Sequence, residues 1–593
     1  MIILGINEDH NSTIAIVKDG VVLYSSSEER ISRVKNDVGY PFQSIANALK
    51  ETGINANEID YVAYTCKITN PLDLKIKRIT RFKISDYIRE MHEFWKPTLI
   101  DKCSSKFWQN IMHDSRFNIP EQEYYDFSFF KYAPEDEWNK EFQKQRISVV
   151  AKQLGIDSNK VLFIKHHTCH AYYAFYASPI DHLSKTAVIT ADGWGDGENG
   201  TIWIAEHGKL KKIHSTSMCN LARFYRYATL LLGMKPYEHE YKVMGLAPYA
   251  KDYLMQPVYE IYKNTLEVDG IDFKWKEKPG DMYFYFQKKF EGLRFDGIAA
   301  GVQKWIEDML VLWVSNILKY LNSDSLVFSG GLAMNVKANK AISEIPQLKE
   351  FFVPPSSGDE STAIGAAFFV SKEHGQDVYP LAHGYLGYEV TDSEVKSFIQ
   401  NNNIKENYQV TENVSFDKIA KLLEQNKIIA RCAHKMEFGA RALGNRSIIC
   451  NPSNFDNIQL LNEKIKFRDF WMPFTPSILD YRATDYLINP KNLKAPYMTI
   501  AFDTTELGRK HLRAAIHPHD LTARPQVVEE KVNYDYYSII QAFEKRTGIG
   551  CVLNTSLNLH GEPIVRNTED AWHVFVDSGL DALLLNNVLI EKK

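Results

Sequence analysis

Two histidines four residues apart, His166 and His170 in His166-His167-Thr168-Cys169-His170-Ala171, carry the clearest chemical signal in this chain. On a helix, side chains at i and i+4 share one face, so both imidazoles can grip one divalent ion. A strand carrying Asp192 comes later in the chain and offers a carboxylate. Two histidines plus carboxylates with open positions suit iron, manganese or zinc, and an open position lets the ion hold a phosphate or a reacting oxygen. A lone pair with this spacing is more often two surface histidines on an aromatic-rich helix, so the weight rests on what surrounds it.

The elements that must position these groups form a weak internal repeat. Residues 2–6 read as an apolar strand, Asn7–Ser12 as a polar turn, and Thr13–Val17 and Val21–Ser25 as strands joined at Asp19-Gly20. The plan recurs later: Thr186–Ala191 is a strand, Asp192–Asn199 a Gly/Asp loop, Thr201–Ala205 a strand, and His207-Gly208 turns into Lys209–Ser215. Two hairpins with acidic or Gly-rich first turns are what a duplicated actin-like, sugar-kinase-like α/β fold needs. In that fold the first turn of each half faces a nucleotide's phosphates.

The spacing of Ile298, Val302, Trp305, Ile306, Met309, Leu312 and Trp313 predicts a long helix over 295–321. The apolar strand Leu326–Phe328 then runs into Ser329-Gly330-Gly331 and a helix from about Met334. Phe351–Val353 runs into PPSSGDESTAIGAA, with Asp359 in the loop before a helix. Strand–glycine–helix junctions let backbone N–H groups approach phosphate, so a nucleotide cleft whose acidic loops hold a metal is expected here.

A new composition begins near residue 385. Two helical stretches and an extended segment fill 394–427, and Ile428-Ile429-Ala430 reads as a strand. Cations then concentrate in Gly-rich loops: Arg431, Lys435, Arg441, Arg446, Lys464, Lys466, Arg468 and Arg524. Guanidinium forks and free backbone amides both donate to oxyanions, so a second, separate site for phosphate or carboxylate groups is placed here.

At 593 residues the chain is too long for one core. Its 45% hydrophobic and 24% charged residues describe an ordinary globular protein, and a net charge of -4 gives no broad basic footprint for nucleic acid. The 7 cysteines form no C-x-x-C pair, no apolar run reaches the length of a membrane span, and the N-terminus lacks a signal-peptide pattern. A cytoplasmic protein without membrane or nucleic-acid partners is expected.

The residues also carry a likeness. GINEDHNSTIAIVKDG, HHTCHA, TADGWGDGENGT, YKVMGLAPYA, SGGLAMNVKAN, MEFGARALGNRSI, EKIKFRDFWMPFTPSIL, TARPQVV and NTSLNLHGEPIV occur in this order. With them the chain resembles, nearly end to end, the O-carbamoyltransferases of the nodulation and antibiotic-tailoring family, which act on Nod factors, cephems, ansamycins and tobramycin. The resemblance implies a domain over 1–385 like the tRNA threonylcarbamoyl-transfer enzyme (Kae1-like). It implies a second α/β domain over 386–593 like the companion adenylate-forming enzyme (YrdC-like).

Such a likeness also implies a two-site reaction. The C-terminal domain takes carbamoyl phosphate and ATP with Mg2+, releases phosphate and pyrophosphate, and forms carbamoyl-adenylate. Arg441, Arg446, Lys464 and Arg468 are expected to act on these anions, with Ser477, Arg524, Asn554 and Ser556 as further contacts. In the N-terminal cleft His166, His170, Asp192 and Asp359 match metal-ligand positions, with iron expected before manganese or zinc. His10 matches a catalytic histidine that takes the proton of an acceptor hydroxyl, and Lys242, Gly330, Gly331 and Asn335 match nucleotide contacts. His167 is expected in a supporting or core role. Asn11, Ala440 and Leu557 depart from the family's usual Asp, Pro and Phe, and they read as tuning.

The least family-like stretch, about 67–160, is dense in Phe, Tyr and Trp with interspersed acids. As an acceptor wall it favours a ring-containing or cationic hydroxyl compound; as a helical surface it would join two copies in a homodimer. Two other functions stay open: tRNA modification of the threonylcarbamoyl type, and a non-enzymatic actin-like nucleotide sensor.

Overall fold

A computed structural model of the chain describes residues 1–69, 73, 76, 82–117, 124–127, 129, 133 and 135–593. The side chains of residues 112, 117, 135 and 464 are outside that description, as are parts of the aromatic insertion. The chain divides into two compact units. The first comprises Met1–Val22, Asp37–Phe351 and Ser357–Tyr379; the second comprises Leu23–Asn36, Phe352–Ser356 and Pro380–Lys593.

Two five-stranded sheets carry the repeat. Strands β1 (Ile2–Asn7), β2 (Thr13–Lys18), β3 (Val21–Ser27), β4 (Tyr61–Thr65) and β5 (Val161–Ile164) form a sheet in the order β3-β2-β1-β4-β5. β1 runs antiparallel to β2 and parallel to β4, and β4 runs parallel to β5. The second sheet repeats this plan with β6 (Thr186–Gly195), β7 (Glu198–Glu206), β8 (Lys209–Thr216), β11 (Ser325–Ser329) and β12 (Glu350–Phe352), ordered β12-β11-β6-β7-β8. The small hairpin β9 (Leu266–Asp269) and β10 (Asp272–Trp275) precedes the helix Phe295–Leu321. An antiparallel meander extended by parallel strands on its first edge, present twice, is the duplicated actin-like architecture. The fold is mixed α/β, as expected.

Helix His166–Tyr176 is buried along its whole length, which a surface helix of alternating polarity would not tolerate. It lies against helix Thr362–Glu373 so closely that a Cβ on Gly365 would sit 1.8 Å from the Cys169 carbonyl oxygen. The helix predicted over 295–321 has those bounds and ends where Asn322 adopts φ 49°. The predicted Gly/Asp loop over 192–199 is shorter than expected. β6 and β7 run on through it to pair at Gly195 and Glu198, leaving a tight turn at Asp196-Gly197.

In the second unit β13 (Tyr385–Val390) pairs with β16 (His434–Glu437). A larger sheet comprises β14 (Tyr408–Thr411), β15 (Ile429–Cys432), β17 (Arg446–Cys450), β18 (Thr475–Leu479), β21 (Gln526–Val528), β22 (Cys551–Ser556), β23 (Ala582–Leu585) and β24 (Val588–Lys592), in the order β14-β24-β23-β15-β17-β22-β18-β21. The short strands β19 (Leu487–Ile488) and β20 (Asp503–Thr504) stand apart as a pair. Ala430, Ile448, Leu553, Leu583 and Leu585 fill the core on this sheet. The N-terminal excursion Leu23–Asn36 is anchored by arginines: Arg30 Nη2 donates to the Gly439 carbonyl at 2.8 Å, and Arg33 donates to Ile564 and Pro563 at 2.8 and 3.0 Å. Among the described residues no helix is long and apolar enough to cross a membrane.

Candidate functional site

In the first unit His166 and His170 point from one helical face at Asp192, near the end of β6, and at Asp359, in the turn before helix Thr362–Glu373. His170 Nε2 lies 3.2 Å from His166 Nε2, 3.2 Å from Asp192 Oδ2 and 3.5 Å from Asp359 Oδ1. His166 Nε2 lies 3.5 Å from each of the same carboxylate oxygens. Four donors held ~2.1 Å from one tetrahedral ion stand roughly 3.4 Å apart, so these separations fit a single small cation. Ser329 Oγ lies 3.3 Å from His170 Nδ1 and orients that ring with Nε2 toward the cluster.

The electrostatics agree with the distances. Burial disfavours a charged His166, but the hydrogen bond to Asp192 and the charges of Asp359 and Asp192 lift its pKa to about 9. Burial, reinforced by the Asp192 charge, raises Asp359 to about 6. Burial works against the Asp192 carboxylate too, yet both imidazoles hold it well below the usual carboxylate range. A dication would relieve the carboxylate repulsion and leave the imidazoles neutral, as ligands must be. His167 points elsewhere, with Nδ1 2.7 Å from Thr190 Oγ1 and Nε2 3.2 Å from the Glu198 carbonyl; burial, with His166 and His170 nearby, keeps it well below the ordinary histidine range.

His10 sits in the first hairpin turn, its ring 5.9 Å from that of Tyr237. Lys242 is half-buried on helix Glu240–Leu246. The expected nucleotide loop is assembled differently. Gly330 adopts φ 100° and donates its N–H to the Ser357 carbonyl at 2.9 Å, while Gly331 N–H donates to Asp192 Oδ2 at 3.2 Å. Asn335 caps helix Val336–Ser343 and exchanges amide hydrogen bonds with Gln303 at 3.0 and 3.1 Å. In this arrangement these groups hold Asp192 and the helix start.

In the second unit the loop between β16 and β17 is folded around one carboxylate. Glu437 Oε1 accepts from the N–H groups of Leu443, Asn445 and Arg446 at 2.7, 2.7 and 3.0 Å. From below, Asn554 donates to Ala442 O at 3.1 Å and Gln526 to Leu443 O at 2.7 Å. Ser477 donates to Gln526 Oε1 at 2.7 Å and receives Asn554 Nδ2 at 3.0 Å. Ser477 and Asn554 are thus buried supports of the loop that presents Arg441.

Three cations face one another here. Burial and the charges of Arg441 and Arg468 push the Arg524 guanidinium well below its ordinary range. Among the described residues no carboxylate pairs with Arg524. A half-buried guanidinium among like charges, with no carboxylate of its own among the described residues, is costly and suits an anionic ligand. Arg446 does not join them. It is fully buried, and its guanidinium donates to the carbonyls of Arg566, Ala433, Asn445, Tyr388 and His434, so its charge locks strands together. The Lys464 side chain lies outside the described residues.

Residues 2–368 match the family model of the carbamoyltransferase N-terminus, and residues 420–592 match that of the carbamoyltransferase C-terminus. The chain belongs to the carbamoyltransferase family. An uncharacterized protein of Methanocaldococcus jannaschii is 31% identical over 100% of this carbamoyltransferase and 99% of its own length. The nodulation protein NolNO of Sinorhizobium fredii is 26% identical over 98% of this chain and 79% of its own. Among solved structures, the activator of the 2-hydroxyisocaproyl-CoA dehydratase of Clostridium difficile with bound ADPNP aligns over 64% of this chain and 99% of its own, at 12% identity and a TM-score of 0.31. Family membership makes the chain a transferase enzyme and sets aside a non-enzymatic sensor.

Several residues of this carbamoyltransferase that carry the geometry did not stand out in the sequence. Lys466, one of several lysines in its run, is the buried cation beside Ser556: its Nζ donates to Ser556 Oγ at 3.2 Å and Asn558 Oδ1 at 2.7 Å. Burial, with Arg468 and Lys35 close by, pushes its amine well below the lysine range. Asp9, next to His10, acts electrostatically on both His166 and Asp359. The signal for Lys466 was present in the basic run, but its inward direction is set by the wide π-helical turn Asn462–Lys466.

Proposed function

We propose that this carbamoyltransferase is ATP-dependent, takes its carbamoyl group from carbamoyl phosphate, and delivers it to a hydroxyl of a small natural product. The second unit is the activating site. There Arg441, Arg468, Arg524 and Lys466 offset the charge of ATP and carbamoyl phosphate and align them. Water cleaves carbamoyl phosphate to carbamate and inorganic phosphate, a carbamate oxygen then attacks the α-phosphorus of ATP, pyrophosphate leaves, and carbamoyl-adenylate forms. Carbamate alone resists nucleophiles because it is an anion; the mixed anhydride has AMP as a good leaving group.

The first unit is the transfer site. His166, His170, Asp192 and Asp359 would hold a divalent ion, iron being favoured for this N/O donor set. When bound, that ion supplies Lewis acidity at the adenylate phosphate and carbamoyl group. The acceptor oxygen attacks the carbamoyl carbon, the bond to AMP breaks, and the hydroxyl proton goes to the His10 imidazole. Imidazoles exchange protons readily near neutral pH. Gly331 and Ser329 keep Asp192 and His170 oriented throughout.

The observation that carries this reading is the convergence of His166, His170, Asp192 and Asp359 within 4.8 Å of one another, in a chain both of whose ends match carbamoyltransferase models. It is tested by incubating the enzyme with ATP and carbamoyl phosphate without any acceptor and following pyrophosphate. Release that requires both compounds supports the reading. Release that requires tRNA points to tRNA modification instead, and no release contradicts the adenylate step.

A further inference from the structure

A second pair of arginines lies in the first unit, beside the histidine–aspartate cluster, and no step of the proposed reaction uses it. Arg226, on helix Leu221–Leu231, stacks its guanidinium 3.8 Å from the centre of the Tyr237 ring. Its Nη2 lies 2.8 Å from where a Cβ of Gly193 would be, so it presses on the backbone next to Asp192. Tyr237 in turn reaches the His10 ring at 5.9 Å and the Tyr87 ring at 6.4 Å. Arg226 is half-buried and feels the charges of Glu240, Glu90 and Asp192, but among the described residues no carboxylate comes within ion-pair distance of it and no group accepts a hydrogen bond from it.

One turn earlier, Arg223 is 4% exposed and sits over Trp95 and Trp194 at 4.7 and 5.4 Å. Its Nε donates to the Gly193 carbonyl at 3.0 Å, but its buried Nη2 has no partner. A buried guanidinium donor left unmatched costs free energy unless a ligand completes it. A second, independent sign is the backbone of Tyr237, which adopts φ 67°, strained for a bulky aromatic residue. Such strain persists where the surroundings over-determine a functional position. Here the Tyr237 N–H donates to Glu240 Oε1 at 2.7 Å, which holds the ring against Arg226 and His10.

We propose that Arg226 is an acceptor-binding residue and that the acceptor is an anionic polyhydroxylated compound of the sugar-acid class. Its carboxylate lies on the Arg226 fork, a sugar face packs on the Tyr237 and Trp194 rings, and a hydroxyl is turned toward His10. Guanidinium forks match carboxylates in two-point geometry, and aromatic rings pack against apolar sugar faces. The proposal rests on the first unit being the transfer site.

The test compares methyl α-galacturonoside with methyl α-galactoside as acceptors, with ATP and carbamoyl phosphate present, reading carbamoylated product by mass spectrometry and pyrophosphate in parallel. The wild-type enzyme is expected to favour the acid at least ~10-fold in kcat/KM, because the neutral analogue cannot form the two-point hydrogen bond with the Arg226 fork. R226M and R226K should collapse that ratio toward one while raising the KM of the acid. Quenching of tryptophan fluorescence by the galacturonoside, weakened in R226K, reports binding without turnover. Equal use of both sugars, or a preference unchanged in both variants, overturns the proposal. So does an Arg226 effect confined to the KM of carbamoyl phosphate, which would assign the site to the donor's phosphate. Pyrophosphate release with neither sugar modified overturns the sugar-acid class alone, whereas no pyrophosphate release overturns the donor chemistry and the proposal with it.

Discussion

Arg146 brings Nε to 3.2 Å from Glu8 Oε2, and each side chain is 1% exposed. Arg146 belongs to helix Trp138–Leu154 of the aromatic insertion, and Glu8 belongs to the hairpin turn that carries His10. The Tyr125 hydroxyl donates to the other Glu8 oxygen. The guanidinium also lies 4.4 Å from the Tyr64 ring and 4.9 Å from that of Phe163. The insertion therefore reaches under the first turn of the repeat and fixes the loop from which His10 projects.

Removing one partner of such a pair leaves a buried, uncompensated charge. Arg146→Met is expected to destabilise the first unit by about 3–5 kcal/mol and to lower transfer activity. Adding Glu8→Gln should restore most of the stability. Thermal unfolding of the single and double variants measures this, and a wild-type midpoint for Arg146→Met would contradict it.

Arg524 illustrates the opposite balance. It stands among Arg441 and Arg468 with no carboxylate of its own among the described residues, so a bound anion would relieve its charge. Arg524→Met should raise the thermal midpoint of the ligand-free enzyme and abolish the further rise that pyrophosphate gives to the wild type. That rise reflects about 2.7 kcal/mol when the ligand is at 100 times its Kd. A variant that still gains its full shift from pyrophosphate would remove Arg524 from the anion site.

Lys466 gives this site a pH dependence with a definite sign. Its amine is held below the ordinary range by burial and by the charges of Arg468 and Lys35. An unfolded lysine keeps its proton to about pH 10.4, so between the folded and unfolded values the unfolded state binds more protons and ligand-free stability rises with pH. Anion binding favours the ammonium form and takes up a proton, so pyrophosphate affinity should rise as pH falls through that window. Calorimetry in buffers of different ionisation enthalpy should show proton uptake by the wild type and none by Lys466→Met. Equal uptake in both would exclude Lys466 as its source.

The parts of this molecule legible in the sequence were those fixed by local periodicity. The stripe from Ile298 to Trp313 gave the long helix its bounds, and the hairpins around Asn7–Ser12 and His207-Gly208 exposed the repeat. The i,i+4 spacing of His166 and His170 placed both imidazoles on one face, where Asp192 and Asp359 meet them. What stayed hidden depended on distant partners. Arg446 looks like any loop cation until the carbonyls of Tyr388, His434 and Arg566 surround it. Lys464 and Lys466 differ only by register within a wide turn. The charges of Arg223 and Arg226 gain meaning only beside Trp95, Trp194 and Tyr237, which come from separate elements.

The most direct measurement concerns the division of the reaction. The enzyme is stripped with a chelator, dialysed and given back Mg2+ alone; pyrophosphate release from ATP and carbamoyl phosphate is then followed beside carbamoyl transfer to an acceptor that the untreated enzyme modifies. With activation and transfer in separate units, pyrophosphate release should persist and transfer should fall by about 100-fold or more. One equivalent of Fe2+ should restore transfer only when His166 and His170 are intact. Full-rate transfer by the stripped enzyme, or by His166→Ala/His170→Ala, would contradict it.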